Sequence, residues 1–138
     1  MAKTFTAPFA QTVNTSNCVV TTANGGITTD TVTNTVLLFT AGTEGSIISA
    51  ITAMPRATVA ATSLYLFTSA DNGTTLRLID SVLMPAQTLG AALEVTKTSF
   101  YSITEDYPLR LEANERLYAS IGVTLASGIV FYARGMDY

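Results

Sequence analysis

Apolar and polar residues alternate with a period of two along most of this chain, and turn-forming residues interrupt the alternation about every eight to twelve positions. The clearest instance is LYLFTSADNGTTLRLIDS, Leu64 to Ser81. Asp71-Asn72-Gly73 places the residues most tolerant of positive φ at the tip of a hairpin. On the outgoing arm Leu64 and Leu66 share one face, and Tyr65 and Phe67 share the other. On the return, Leu76 and Leu78 oppose Arg77 and Ile79. Both faces carry apolar groups, so the hairpin is expected inside a sheet covered on both sides.

The same grammar predicts strands over Cys18–Thr22, Thr31–Thr40 and Ser46–Ala53, then Pro108–Leu111 and the two runs that close the chain. In RLYASIGVTL, Leu117, Ala119, Ile121, Val123 and Leu125 fall on one face. In the final strand Ile129, Phe131 and Ala133 do the same. Leu117, Ile121, Val123, Ile129 and Phe131 are therefore expected in the core. Ala86–Thr98 reads as one short helix or as a loop leading into a strand, since Gly90 and the β-branched residues after it oppose a long helix. The expected fold is all-β, an antiparallel jelly-roll-like β-sandwich of about eight strands with at most one short helix. Residues 1–15, with Phe5 and Phe9 around Pro8, read as an N-terminal arm or an edge strand, and residues 16–138 as one sandwich domain.

Composition sharpens this picture. The 138 residues are 48% hydrophobic and only 12% charged, with threonine commonest, so the surface is less solvated than usual and suits cover by a partner. The net charge of −3 and the scattered arginines Arg56, Arg77, Arg110, Arg116 and Arg134 give no nucleic-acid footprint. No apolar run reaches the length of a membrane span, and MAKTFTAPFAQT lacks the apolar core of a signal peptide. The lone Cys18 suits a reducing compartment, so synthesis in the cytoplasm is expected. Free sheet edges are normally blunted with lysine, yet Lys3 and Lys97 are the only lysines. That argues for cover by a second copy, a homodimer first and a trimer second.

Candidate chemistry is sparse. Histidine is absent, which removes the commonest general base and metal ligand and leaves Cys18 without an activating partner. Lys97 beside Thr96, Thr98 and Ser99 reads as an exposed strand lysine rather than a Ser-Lys dyad. Glu105, Asp106, Glu112 and Glu115 lie in SITEDYPLRLEANER, where turn solvation and pairing with Arg110 and Arg116 explain them better than a glycosidase pair. Asp71-Asn72 reads as turn chemistry rather than a metal or sugar ligand, because no further oxygen ligands follow at calcium-loop spacing. Asn24-Gly25-Gly26 lacks the GK[ST] ending of a phosphate loop. The tyrosines Tyr65, Tyr101, Tyr107, Tyr118, Tyr132 and Tyr138 read mostly as half-buried strand residues, with stacking on sugars as the functional alternative. No enzyme, cofactor or metal is expected.

The stretches NGTTLRLIDSVLMPAQT and YPLRLEANERLYASIGVTLASGIVFYARGMDY resemble the small head decoration, or cement, proteins of tailed bacteriophages. The likeness is best over residues 64–138 and rests on strand grammar and size. It implies an accessory virion subunit that binds the outside of an icosahedral shell, clamps contacts between major capsid protein subunits, and carries no catalytic residues. Lys3, Phe5, Phe9 and Tyr138 are the expected partner contacts. The alternative is a carbohydrate-binding or adhesive sandwich on a virion fibre or tail.

Overall fold

The computed structural model describes residues 12–138. Their strands, in chain order, are β1 (Thr12–Val20), β2 (Val36–Thr40), β3 (Ser46–Pro55), β4 (Thr62–Ser69), β5 (Arg77–Met84), β6 (Thr98–Ser99), β7 (Leu109–Leu111), β8 (Arg116–Ile121) and β9 (Ile129–Asp137). No helix occurs among the described residues. One sheet runs β1-β9-β3, with β6 and β7 both on the far side of β3; the other runs β2-β8-β4-β5. All of these strand pairings are antiparallel, and the protein is a β-sandwich. The pairs nest. β4 pairs with β5, β3 with β6 and β7, β2 with β8, and β1 with β9, so a long double ribbon is folded about the 70–76 turn.

Period-two alternation builds the core directly. Cys18 and Val20 from β1, Ile48, Ile51 and Ala53 from β3, and Ile129, Phe131 and Ala133 from β9 form one buried cluster with residues of the other sheet. Those are Leu38, Leu64, Leu66, Leu117, Ala119 and Ile121. The Phe131 ring lies 6.4 Å from that of Phe100, which the loop after β6 supplies. Each fully buried side chain of this size contributes about 1.5–3 kcal/mol.

Four expected core residues, Leu117, Ile121, Ile129 and Phe131, are fully buried, but Val123 is 48% exposed. The ladder of β8 ends at Ile121 because the chain turns there: Gly122 N–H donates to Ser63 C=O (2.9 Å) and Val123 N–H to Thr62 Oγ1 (3.0 Å). The strand expected over Thr31–Thr40 begins only at Val36. Asn34 adopts φ 60° and donates its amide to Ala23 C=O at 3.0 Å, which breaks extension. The strand expected at Cys18–Thr22 instead spans Thr12–Val20, so residues 12–15 belong to the sandwich as part of an edge strand. Ala86–Thr98 is a loop ending in β6, without a helix. Gln87 ties it down, bridging Val59 through the backbone and both the N–H and C=O of Thr96 through its side chain.

The opening hairpin is covered on both faces only along its first arm. Residues 21–35 fold over the outside of the second sheet, where Val32 packs with Phe67 and Leu76 beside Ile27, Tyr65 and Tyr118. The Arg77–Asp30 ion pair (3.1 Å) and the Leu76 N–H to Asp30 C=O bond (2.8 Å) hold that flap to the hairpin. The return arm is an edge strand, with Leu78, Ile79 and Leu83 exposed. The register shifts between Leu66 and Phe67, placing Phe67 opposite Leu78 and Leu66 opposite Asp80. Ile79 is thus the bulged residue, which the strict alternation of the sequence conceals.

Candidate functional site

Asp71 acts within its turn. Its Oδ1 accepts from the Thr75 N–H and the Ser69 hydroxyl, both at 2.8 Å, while Ser69 Oγ accepts from Gly73 N–H at 2.8 Å. The Thr75 backbone bond first, then the Ser69 hydroxyl, hold the Asp71 carboxyl below its ordinary value. Asn72 and Gly73 take positive φ, 60° and 92°, as the turn reading requires.

One feature suited to contact is the outer face of the β1-β9-β3 sheet. Cross-strand rows run Val13–Met136–Ile47, Thr15–Arg134–Ala50, Asn17–Tyr132–Thr52 and Val19–Val130–Met54. Val13 is 71% exposed, and Val19, Tyr132 and Met136 are exposed with it. Within these three strands the rows at both ends are apolar, with exposed Arg110 on β7 next to Ile47, and the middle rows hold short polar groups, Ala50, Tyr132 and the charge of Arg134. Its guanidinium lies 5.8 Å from the Tyr132 ring centroid, an aromatic contact that spreads the charge over an apolar surface. Strands are pleated but flat on the scale of a side chain, so this face can meet another broad protein surface without a pocket.

A second feature is a cleft of about 200 Å³ between Ile79–Asp80 on β5 and Ser102, Ile103, Tyr107, Pro108 and Leu109. Asp80 Oδ2 accepts from the Ser102 hydroxyl, and Oδ1 accepts from Ser81 N–H at 2.8 Å. Tyr107 is held by its own loop. Its N–H donates to Thr104 Oγ1 (3.1 Å) and its C=O accepts from Thr104 N–H (3.3 Å). Asp80 and Ser102 are 22 positions apart, so no local motif announces them.

Lys3, Phe5 and Phe9 lie outside the described residues. Tyr138 is half-buried at the end of β9, its N–H donating to Gly45 C=O at 3.2 Å. Nothing therefore brings these four together into one described surface. Of the other tyrosines, Tyr65 and Tyr118 are half-buried as expected, but Tyr101, Tyr107 and Tyr132 are exposed. Glu105 and Asp106 are exposed at a loop tip, and the Glu115 carboxylate accepts from Glu112 N–H at 2.9 Å, closing its own turn. Among the described residues none of these four acidic groups pairs with Arg110 or Arg116; the ion pair formed is Arg77–Asp30. Lys97 is exposed immediately before β6.

No family model matches the chain, and no curated protein matches it.

Proposed function

We propose that this chain is a structural virion protein, a decoration subunit that binds the outer surface of an icosahedral phage head and clamps contacts between major capsid protein subunits. The observation that carries the reading is the outer face of the β1-β9-β3 sheet, with exposed Val13, Val19, Tyr132 and Met136 around Arg134. A subunit that spans a joint gains affinity from many weak contacts made at once, and a broad apolar sheet face supplies them. The nested strand pairing supports a jelly-roll winding of the sandwich, in keeping with the resemblance to the cement family. The exposed edge strand β5 supports self-association as a homodimer, with a trimer second.

The test is binding to shells stripped of the protein, read by co-sedimentation and cryo-EM. Val13→Glu with Met136→Glu is expected to abolish shell binding while leaving the melting temperature of the isolated protein unchanged. Full binding by that variant removes the sheet face from the interface; failure of the wild-type chain to bind any shell removes the function. Light scattering at tens of micromolar decides the oligomer.

A second reading is a carbohydrate-binding sandwich on a fibre or tail. It is favoured by Tyr101 and Tyr107, which stand exposed on the single loop between β6 and β7.

A further inference from the structure

We propose that the cleft between β5 and the loop 102–109 binds a neutral sugar, one pyranose ring at a time. The inference deepens the carbohydrate-binding reading and rests on it; the site lies apart from the outer face of the β1-β9-β3 sheet.

The lining has the two halves that such a ligand demands. Ile79, Ile103, Pro108 and Leu109 supply an apolar surface, and the Tyr107 ring, 79% exposed, stands ready to cover the C–H face of a ring. The polar half accepts rather than donates. Asp80 spends one site on Ser81 N–H and one on the Ser102 hydroxyl, and a carboxylate has about four acceptor sites, so both oxygens keep one to offer. Ser102 gives its proton to Asp80 and retains its own lone pairs. The remaining acceptor sites of a carboxylate can take a pair of neighbouring hydroxyl donors. An acceptor-rich cleft therefore selects a polyol.

Charge narrows the class. Asp80 is in the wall, and Glu105 and Asp106 stand on the same loop as Tyr107. Acidic sugars and phosphates are repelled; neutral hexoses are not. The volume of about 200 Å³ admits one ring, with the rest of a glycan leaving over the exposed Tyr107 side. Single-ring contact of this kind implies weak affinity per site, about millimolar.

The experiment is an NMR titration of the isotope-labelled full chain with the methyl glycosides of glucose, galactose and mannose and with N-acetylglucosamine, each to about 50 mM. At least one sugar is expected to shift the amide signals of Ile79, Asp80, Ser102, Ile103 and Leu109 together. Tyr107→Ala, which alters a side chain already in solvent, and Asp80→Ala should each weaken that sugar about tenfold or more. Tyr107→Ala should leave shell binding intact. Absence of shifts with all four sugars overturns the inference. So does a response confined to Nα-acetyl-lysine amide, which would make the cleft a seat for cations.

Discussion

Asn14 on β1 donates its side-chain N–H to Asp137 Oδ1 on β9 over 2.9 Å, joining residues 123 positions apart. The same oxygen accepts from the Ser46 hydroxyl on β3, and Ser46 Oγ in turn accepts from Gly42 N–H at 3.0 Å. One carboxylate thus ties three strands and the turn after β2. Asp137→Ala leaves these donors unpaired and is expected to cost about 1–3 kcal/mol, seen as a lower urea midpoint. Asp137→Asn, which keeps an acceptor, should cost less.

Phe131 and Val123 looked alike as core residues in sequence, and the structure separates them. Phe131 is fully buried against Phe100, while Val123 stands beyond the end of β8. Phe131→Ala is expected to lose about 3–5 kcal/mol. Val123→Ala should stay within about 0.5 kcal/mol of wild type. Paired denaturation curves check both.

Asp71 predicts a local dependence on acid. Its folded pKa lies below the ordinary 3.8, chiefly through the Thr75 N–H bond and then the Ser69 hydroxyl. A depressed carboxyl favours the folded turn fully above the ordinary value and loses that contribution as pH falls through the folded one. Amide exchange at Gly73 and Thr75 should therefore quicken, relative to the rest of β4 and β5, only below the ordinary carboxylate range. In Asp71→Asn this extra acid step should vanish.

Cys18 is buried on the inner side of β1, and burial pushes its thiol up to about 12 from 9.0. It is expected to resist iodoacetamide at pH 8 in the native protein and to react at the rate of unfolding in urea. The sign on the alkaline side follows. The contribution is intact below 9.0 and is lost as pH rises toward about 12, because the unfolded thiol ionises first. The stability drop between pH 8 and 10 should be smaller in Cys18→Ala.

How much was legible in the sequence depends on how local each determinant is. Strand faces such as Leu117–Ala119–Ile121 and Ile129–Phe131–Ala133 follow from alternation, because burial on one side of a pleat needs nothing else. The Asp71-Asn72-Gly73 turn follows from backbone chemistry within five residues. Asn34 was misread as strand because what holds it at positive φ includes a bond to Ala23, eleven positions away. Val123 was misread because its ladder ends on contacts with Thr62 and Ser63 of another strand. The Asp80–Ser102 wall was invisible for the same reason, being a product of how β5 and the loop after β6 meet. The exposed face of the β1-β9-β3 sheet was only half legible, since the length of β1 was underestimated.

The places of β8 and β9 in the sheets bear on how the protein is made. β8 lies between β2 and β4, and β9 lies between β1 and β3. Two consecutive late strands therefore supply a central strand to each sheet. Until residues 116–137 have left the ribosome, each sheet is split down its middle, with β1 and β2 lacking their ladder partners. The nascent chain can close the β4–β5 hairpin and the β3–β6 and β3–β7 ladders early, but β1 and β2 must wait with apolar side chains uncovered, a state open to chaperones and to aggregation. Completion of the sandwich then waits on the insertion of β8 and β9, and a chain cut short before β8 lacks the central strand of each sheet.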